Sequence, residues 1–465
     1  MSTYNCSFSS RERELEPYAD VAGPGVLAGY LGTAWICVVL VIVHYLLIFD
    51  PEQDPFQEEG LPGAGNNNRH WTANPIDALF KIMFERVSLS FSTVGQVPAL
   101  QWMRRNPRLQ AAFNKAILAM CDIQIVTGLG ILVSGYADLK SGISAYHFLL
   151  VGLVAWFSNL THIAGLTVLR HYLHRRPSQK WIRLSLMIIL SVMLLTAMGP
   201  TVFFNWPVWE SLSETAGEEE KRFQGSAGLP GSYAICFFNA RRAIQWHYSD
   251  TEVKLEASPS FQSVLISMLL LVFSLASRTI KLQSTLSSAV KKTRGYFSNR
   301  YKAYIRRCFC IEPSFRRRKP RSRSTQFMRT IFCTQMTNLL VIRIYTDLLV
   351  STLSDIYWLL ISAIWGTIKL FLVKQSVVIE EDSWAFGQIL PAFLLLAPLL
   401  TTMEIFTELR RGTDTSASQP DTSPGDNSPA GKMYLQKLAD SSKLYKATSI
   451  ATTTITKLAF GFSQP

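Results

Sequence analysis

Charged residues are scarce in this sequence. Lys, Arg, Asp and Glu make up 17% of its 465 residues, whereas a soluble domain carries about a quarter. The apolar residues are gathered into blocks long enough to cross the roughly 30 Å hydrocarbon core of a bilayer. A chain inside lipid must satisfy its own backbone hydrogen bonds, so these blocks are predicted to be α-helices. The composition therefore indicates an integral membrane protein, and we expect no nucleic-acid partner.

Standard catalytic motifs are also missing. The sequence has no GxSxG, P-loop, HExxH or CxxC motif, and no aspartate-rich diphosphate motif. A di-haem reductase would need histidine pairs on two helices, and only the block 143–169 carries two, His147 and His162. His171 and His174 have a metal-binding spacing, but the very basic segment around them would repel a cation. We expect no metal and no cofactor, and the sequence favours a protein without enzymatic activity.

Seven apolar blocks have the length of membrane spans. Their acidic and basic residues are few, namely Asp122, Lys369 and Glu404. The predicted fold class is all-α, a polytopic transmembrane helix bundle of about seven spans. The predicted spans are residues 26–49, 116–136, 143–169, 184–204, 258–277, 356–373 and 384–406.

Lys and Arg near the span ends predict the orientation. Residues 170–183 hold five of them, and residues 278–329 hold sixteen against one acid, Glu312. Both loops should be cytoplasmic, whereas the acid-rich stretches 205–257 and 374–383 fit the outside. Acidic residues just after the first span favour the opposite orientation, but acids have little weight in this rule. We therefore predict an outside N-terminus and an inside C-terminus.

This topology divides the chain into an outside tail, a membrane bundle and a cytoplasmic tail whose Ser-, Thr- and Pro-rich part should be disordered. The corresponding ranges are 1–25 for the outside tail, 26–406 for the bundle with its outside loop 205–257 and basic cytoplasmic loop 278–355, and 407–465 for the cytoplasmic tail with disorder at 412–431.

Two segments between spans are predicted to be helices. Residues 76–103 have the apolar spacing of an amphipathic helix at the cytoplasmic interface. Residues 336–353 contain Arg343 and Asp347, which can pair at i,i+4. We interpret this second segment as an interfacial or packed helix. If it spans instead, the count becomes eight and the C-terminal tail moves outside.

Several residues are candidates for modification. Asn5 begins a glycosylation sequon on the outside tail. Cys6 and Cys236 fall in predicted outside segments and are a candidate disulfide, although pairing cannot be read from sequence. Cys308 and Cys310 are basic juxtamembrane cysteines, which are either palmitoylated or unmodified thiols.

Polar residues inside the predicted spans are the candidate functional site. They are Asp122 and Gln124 in the second span and Asn159 and His162 in the third. If these two spans are antiparallel neighbours, Asp122 and Asn159 lie at nearly equal depth. We expect Asp122 at the interface of these spans, close to Asn159 or His162. Such a cluster is either a proton relay or ligand site, or interhelical bonding that only holds the helices together.

The basic loop is a second candidate site. Each Lys or Arg near an anionic membrane surface contributes about 1 kcal/mol of attraction. We expect the loop to contact anionic lipids of the cytoplasmic leaflet, unless it is only a solvated topological signal. The residues expected to make this contact are Arg306, Arg307, Arg316, Arg317, Arg318 and Lys319.

Parts of the apolar region resemble a large family of uncharacterised multi-pass membrane proteins of filamentous fungi. The similar strings are residues 121–128 (CDIQIVTG), 146–147 (YH), 156–162 (WFSNLTH), 169–173 (LRHYL) and 380–388 (EEDSWAFGQ). Residues 20–26 are also similar, with Pro24 where the family has an apolar residue. The resemblance covers most of the membrane region and little of the loops. It implies a fungal source and brings no biochemical activity.

Three function classes remain open. A receptor-like or scaffolding protein fits seven spans, an outside N-terminus and a long basic inside loop. A transporter or channel would use the intramembrane polar cluster. A membrane-embedded enzyme of lipid or terpenoid metabolism is the third. The compartment is a membrane, and the sequence does not distinguish the plasma membrane from an endomembrane.

Overall fold

The computed structural model describes most of the region before residue 378. The described residues are 6, 15–52, 73–91, 107–174, 176–204, 230–250, 254–309 and 323–377, with the isolated residues 389, 393, 396, 400, 403, 404 and 407. All of them belong to one compact unit, Met1–Glu408. Their regular structure is helical, and the described part contains no strand beyond an isolated bridge between Ser144 and Tyr233.

Six helices in the described part of the chain are long and apolar enough to cross a membrane. They are span one, Ala19–Leu47; span two, Phe113–Asp138; span three, Ala145–Val168; span four, Pro177–Phe203; span five, Pro259–Leu282; and span six, Thr352–Gln375. Span one consists of Ala19–Ala22 and Pro24–Leu47, span two is part of a longer helix, Pro107–Asp138, and span four ends in a 3₁₀ turn, Pro200–Phe203. The six helices overlap the first six predicted blocks, and the all-α prediction is confirmed for the described residues.

The remaining helices connect the spans. They include the loop helix Pro75–Phe91, the short helix Arg170–His174, the basic helix Ser284–Phe309 and the connecting helix Arg323–Val350. The helix Ala240–Asp250 and the 3₁₀ turns Ala234–Phe238 and Leu255–Ala257 precede span five.

Span three is the central helix of the bundle. The apolar part of span three is completely buried. Span three packs against spans one, two, four, five and six. Small residues permit the closest approaches: a Cβ at Gly128 would overlap the side chain of Ser158, and one at Gly165 would overlap Cys121 Sγ. Such contacts are how helices associate in lipid, where no hydrophobic force drives them together.

A cap segment, Pro230–Phe238, covers the beginning of span three. Ala145 and Tyr146 donate their backbone N–H groups to Ser232 O at 2.7 Å and Pro230 O at 3.1 Å. These groups lie in the first turn, which has no partners within its own helix. A disulfide joins Cys6 to Cys236, which confirms the candidate pair and attaches the N-terminal tail to the cap segment.

Spans five and six extend beyond their predicted ends and include charged residues that were predicted to lie in the loop between them. Span five continues to Leu282 and span six begins at Thr352, so both ends of the predicted loop 278–355 belong to spans. The segment 336–353 lies mostly in the connecting helix, which is not among the six spans. There Arg343 Nε lies 3.9 Å from Asp347 Oδ2, as the i,i+4 spacing predicts.

Other predictions fall outside the described residues in whole or in part. The loop helix covers the first part of the amphipathic segment 76–103, whose end is not described. Six isolated residues of the block 384–406 are described and all are helical, but the rest of that block is not, so the seventh span stays a prediction. The disordered tail 412–431 also lies outside the described residues.

Candidate functional site

Asp122 pairs with span four and not with span three. Its carboxylate accepts two hydrogen bonds from Arg183, one from Nε and one from Nη2, both at 2.8 Å. This bidentate geometry is the strongest that an arginine and a carboxylate adopt. The Asp122 side chain is 46% exposed on the bundle surface and that of Arg183 is 16% exposed. The hydrogen-bond partner of Asp122 is therefore Arg183, and not Asn159 or His162 as predicted.

The error has a physical cause. The rule that basic residues flank the spans predicts that Arg183 belongs to the loop 170–183. In the structure span four already begins at Pro177. Arg183 is then about 9 Å along a helix, deep enough to reach a carboxylate in the middle of span two.

Asn159 and Gln124 have separate partners. The Asn159 amide oxygen accepts a hydrogen bond from Ser191 Oγ of span four at 2.9 Å. The backbone carbonyl of Gln124 accepts one from Ser158 Oγ, while its side-chain Oε1 is buried without a partner. The four predicted cluster residues therefore do not form a single hydrogen-bonded network. The Asn159 side chain joins span three to span four, and the backbone carbonyl of Gln124 joins span two to span three. Both are interhelical hydrogen bonds of the kind that hold helices together.

His162 lies among thiols in the core of the bundle. It is 2% exposed, and neither ring nitrogen has a hydrogen-bond partner. The Cys121 side chain lies beside both His162 and Cys37, and both thiols donate to Thr161 O, at 3.5 Å from Cys121 Sγ and 3.7 Å from Cys37 Sγ. Within the described ranges, no group of three His, Cys, Asp or Glu residues could hold a metal ion.

A network of buried charges joins spans three, five and six. Arg278, 2% exposed, donates to Thr167 Oγ1 at 3.1 Å and to Asp355 O at 2.6 Å. Lys281 Nζ lies 2.8 Å from Asp355 Oδ2 and donates to Ser351 O at 3.0 Å. Buried charges are tolerated when they are paired and hydrogen-bonded. Lys281 and Asp355 form an ion pair, and the Arg278 guanidinium is held by hydrogen bonds to Thr167 Oγ1, Ser274 O and Asp355 O. We call these residues, Thr167, Arg278, Lys281, Ser351 and Asp355, the charge network.

Asp77 extends this polar region to the loop helix. Its carboxylate accepts hydrogen bonds from the backbone N–H groups of Thr352 at 2.9 Å and Leu353 at 3.0 Å, so that it caps the first turn of span six. Tyr45 Oη of span one donates to the same carboxylate at 3.0 Å. Burial raises the pKa of Asp77, and the three hydrogen bonds and the charge of Lys281 lower it by less.

The charged residues of the network lie outside the predicted spans, because the fifth predicted span ends just before Arg278 and the sixth begins just after Asp355. Arg278 and Lys281 were counted as loop charges, and Asp355 stood one residue before the predicted sixth span. Lys281 is three residues after Arg278, a spacing that places both on one face of a continued helix. That spacing is the signal that could have extended the fifth span to include them.

Lys369 of span six reaches span five. Its Nζ donates to Ser267 Oγ at 3.3 Å, and Trp365 Nε1 donates to the same oxygen at 2.9 Å. The ammonium lies 6.0 Å from the centre of the Trp365 ring, within the range of a cation–π contact. Lys369, Trp365 and Ser267 line a cavity of about 20 Å³ between spans three, four, five and six. Its other lining residues include Gly152, Trp156, Met198 and Thr201.

The other predicted site residues are only partly described. Arg306, Arg307 and Cys308 belong to the basic helix, but their side chains are not described. Asn5, Cys310, Arg316, Arg317, Arg318 and Lys319 lie outside the described residues. The predicted glycosylation, palmitoylation and lipid contacts stay predictions.

Comparison with known proteins yields one weak similarity. No protein-family model matches the sequence, and no solved structure matches it. A curated protein of Elsinoe fawcettii, described as an elsinochromes biosynthesis cluster protein HP3, is 22% identical over 156 residues. The match covers 34% of this chain and 48% of that protein, so the chain spans about half the length of this relative. Together with the six apolar helices, the similarity fits a fungal membrane protein.

Proposed function

We propose that the protein is a receptor-like or scaffolding protein of a fungal membrane. The observation that carries this proposal is the position of span three, whose two ends make different attachments. Ala145 at its beginning bonds to the cap segment, and Thr167 near its end accepts from Arg278 of the charge network. A packed helix with fixed attachments at both ends is a contiguous physical connection between the two faces of the membrane.

The proposed orientation has the N-terminus and the cap segment outside. Disulfides persist in oxidising compartments, so the bond between Cys6 and Cys236 supports an outside position for both segments. The basic helix follows span five at the opposite end of the bundle. It carries seven Lys or Arg and no acid, which supports a cytoplasmic position.

The basic helix is further proposed to lie on anionic lipid. Leu286, Val290 and Phe297 are 40%, 41% and 65% exposed, and their spacing of four and seven places them on one face of the helix. A helix with an exposed apolar face and many Lys and Arg side chains is typical of the membrane interface. The exposed apolar face would enter the headgroup region, and the basic side chains would contact lipid phosphates.

Lipid binding can be tested with the purified full-length chain in nanodiscs. Native mass spectrometry should find anionic lipid retained in preference to neutral lipid, and added salt should weaken the preference. Lys292→Gln/Arg300→Gln should reduce this preference. The control Lys140→Gln/Lys254→Gln removes two exposed lysines outside the basic helix and should not. Equal retention of both lipids by the wild-type protein would disprove the lipid contact.

Coupling between the two faces can be tested by hydrogen exchange. Reduction of the Cys6–Cys236 disulfide perturbs the cap segment. If span three transmits this change, backbone amides of 278–282 and 352–358 should exchange faster after reduction. Thr167→Val should abolish that response while leaving the response of the cap segment. A response confined to the cap segment in the wild-type protein would support a passive scaffold and exclude the receptor-like version.

A transporter is the second candidate function, favoured by the cavity beside Lys369. Transporter sites commonly lie near the middle of the bilayer between helices. Purified protein in sealed liposomes would decide between the two candidates, since only a transporter produces protein-dependent solute flux. Chloride and small organic anions are the solutes to measure first, because Lys369 is a cation.

A further inference from the structure

Lys369 is directed into the bundle and not toward the nearer membrane surface. It is six residues from the end of span six at Gln375, which corresponds to about 9 Å. Ser267, its partner, is eight residues from the beginning of span five at Pro259, or about 12 Å from the same face. A lysine that extended its ammonium to the interface would point the opposite way. The side chain therefore keeps its charge at depth.

The ammonium has hydrogen-bonding capacity to spare. A lysine has three N–H donors, and within the described part of the chain only Ser267 Oγ accepts one. Ser267 itself donates to Ser263 O at 2.8 Å and accepts from Trp365, so its own capacity is used. No described carboxylate forms an ion pair with Lys369. An uncompensated charge at this depth is energetically unfavourable.

The cavity beside Lys369 has the size of one small species. Its volume is about 20 Å³, where roughly 10–15 Å³ on the same measure accommodates one water molecule. Its wall is mostly apolar and includes Gly152, Trp156 and Met198. A neutral water molecule would solvate the ammonium without compensating its charge. A small anion would do both.

We propose that this cavity binds a single small monovalent anion of the size of chloride. Lys369 Nζ supplies the countercharge and the N–H donors that Ser267 leaves unused. Trp156 and Trp365 line the same cavity. The site depends neither on the orientation of the chain nor on the proposed receptor-like function.

The test uses the purified full-length protein in detergent, with thermal unfolding followed in chloride, bromide or gluconate at constant ionic strength. A ligand that binds only the folded state raises Tm in a saturable manner. Chloride and bromide should therefore raise Tm, while gluconate, which is too large for the cavity, should not. Lys369→Met should abolish the halide dependence.

A second variant removes the cavity without removing the charge. A Cβ at Gly152 would enter open space, so Gly152→Ala should fold normally and reduce the halide response at least several-fold. Gly130→Ala is the matched control, because its Cβ also meets no neighbouring atom and Gly130 does not line the cavity. A wild-type Tm that is equal in chloride and gluconate, or a halide response unchanged by Lys369→Met and Gly152→Ala, would overturn the proposal.

Discussion

Asp355 and Lys281 form an ion pair inside the bundle, with Lys281 Nζ 2.8 Å from Asp355 Oδ2. The pair joins the first turn of span six to the last turn of span five. Its side chains are 8% and 13% exposed, so little solvent screens their interaction. Arg278 donates to the backbone carbonyl of the same aspartate, which ties span three to the pair through Thr167.

Breaking this pair should strongly destabilise the protein. Asp355→Asn leaves Lys281 as an uncompensated buried charge, and such changes cost about 3–5 kcal/mol. Asp50→Asn is the control, because Asp50 and Lys81 are also 2.8 Å apart but are 48% and 26% exposed. An exposed pair contributes roughly 0–1 kcal/mol. Thermal unfolding in detergent should show a large loss of Tm for Asp355→Asn and a small one for Asp50→Asn. Equal losses would mean that burial of the pair is not the cause.

A pH dependence is expected from Asp77. Because burial raises its pKa in the folded protein, the folded state binds this proton more tightly than the unfolded chain does. The resulting stabilisation is fully present below the unfolded pKa of about 4 and is lost as pH rises through the folded value. The Tm of the wild-type protein should therefore fall over this interval relative to that of Asp77→Asn. Parallel curves for the two proteins would contradict the raised pKa.

The disulfide predicts a distinct pattern of thiol labelling in sealed, right-side-out vesicles. A membrane-impermeant maleimide should not label Cys236 in the wild-type protein, because Cys236 is bonded to Cys6. In Cys6→Ser it should label Cys236 from outside. Cys333, which is free and exposed on the connecting helix, should be labelled only after permeabilisation, and Cys333→Ser identifies its signal. Labelling of Cys333 in intact vesicles would reverse the proposed orientation.

The sequence predicts the spans well because their signal is local. A block of some 20 apolar residues identifies a helix whatever surrounds it. The partner of a polar residue is not a local property. Asp122 could face either neighbouring span, and only the rotation of its helix selects Arg183 over Asn159. Lys281 and Asp355 were missed for the same reason. From sequence alone, each charged residue is assigned to a loop, because nothing local shows that the two form an ion pair.

The ion pair of Asp122 and Arg183 gives the last prediction. Spans two and four expose this pair on the bundle surface, where the surrounding medium is lipid or another protein. An unpaired charge there is more costly than the neutralised pair. Asp122→Leu and Arg183→Leu should therefore each reduce the yield of folded protein, measured by fluorescence-detected size exclusion. The double variant leaves no charge unpaired and should recover the wild-type yield, as should the exchange Asp122→Arg/Arg183→Asp at least in part.

Asn159→Leu is a useful comparison, because it removes the bond to Ser191 without leaving a charge and should reduce the yield of folded protein less. If the double leucine variant folds no better than the single ones, the two residues act separately, and the role of Asp122 lies in something other than its pairing with Arg183.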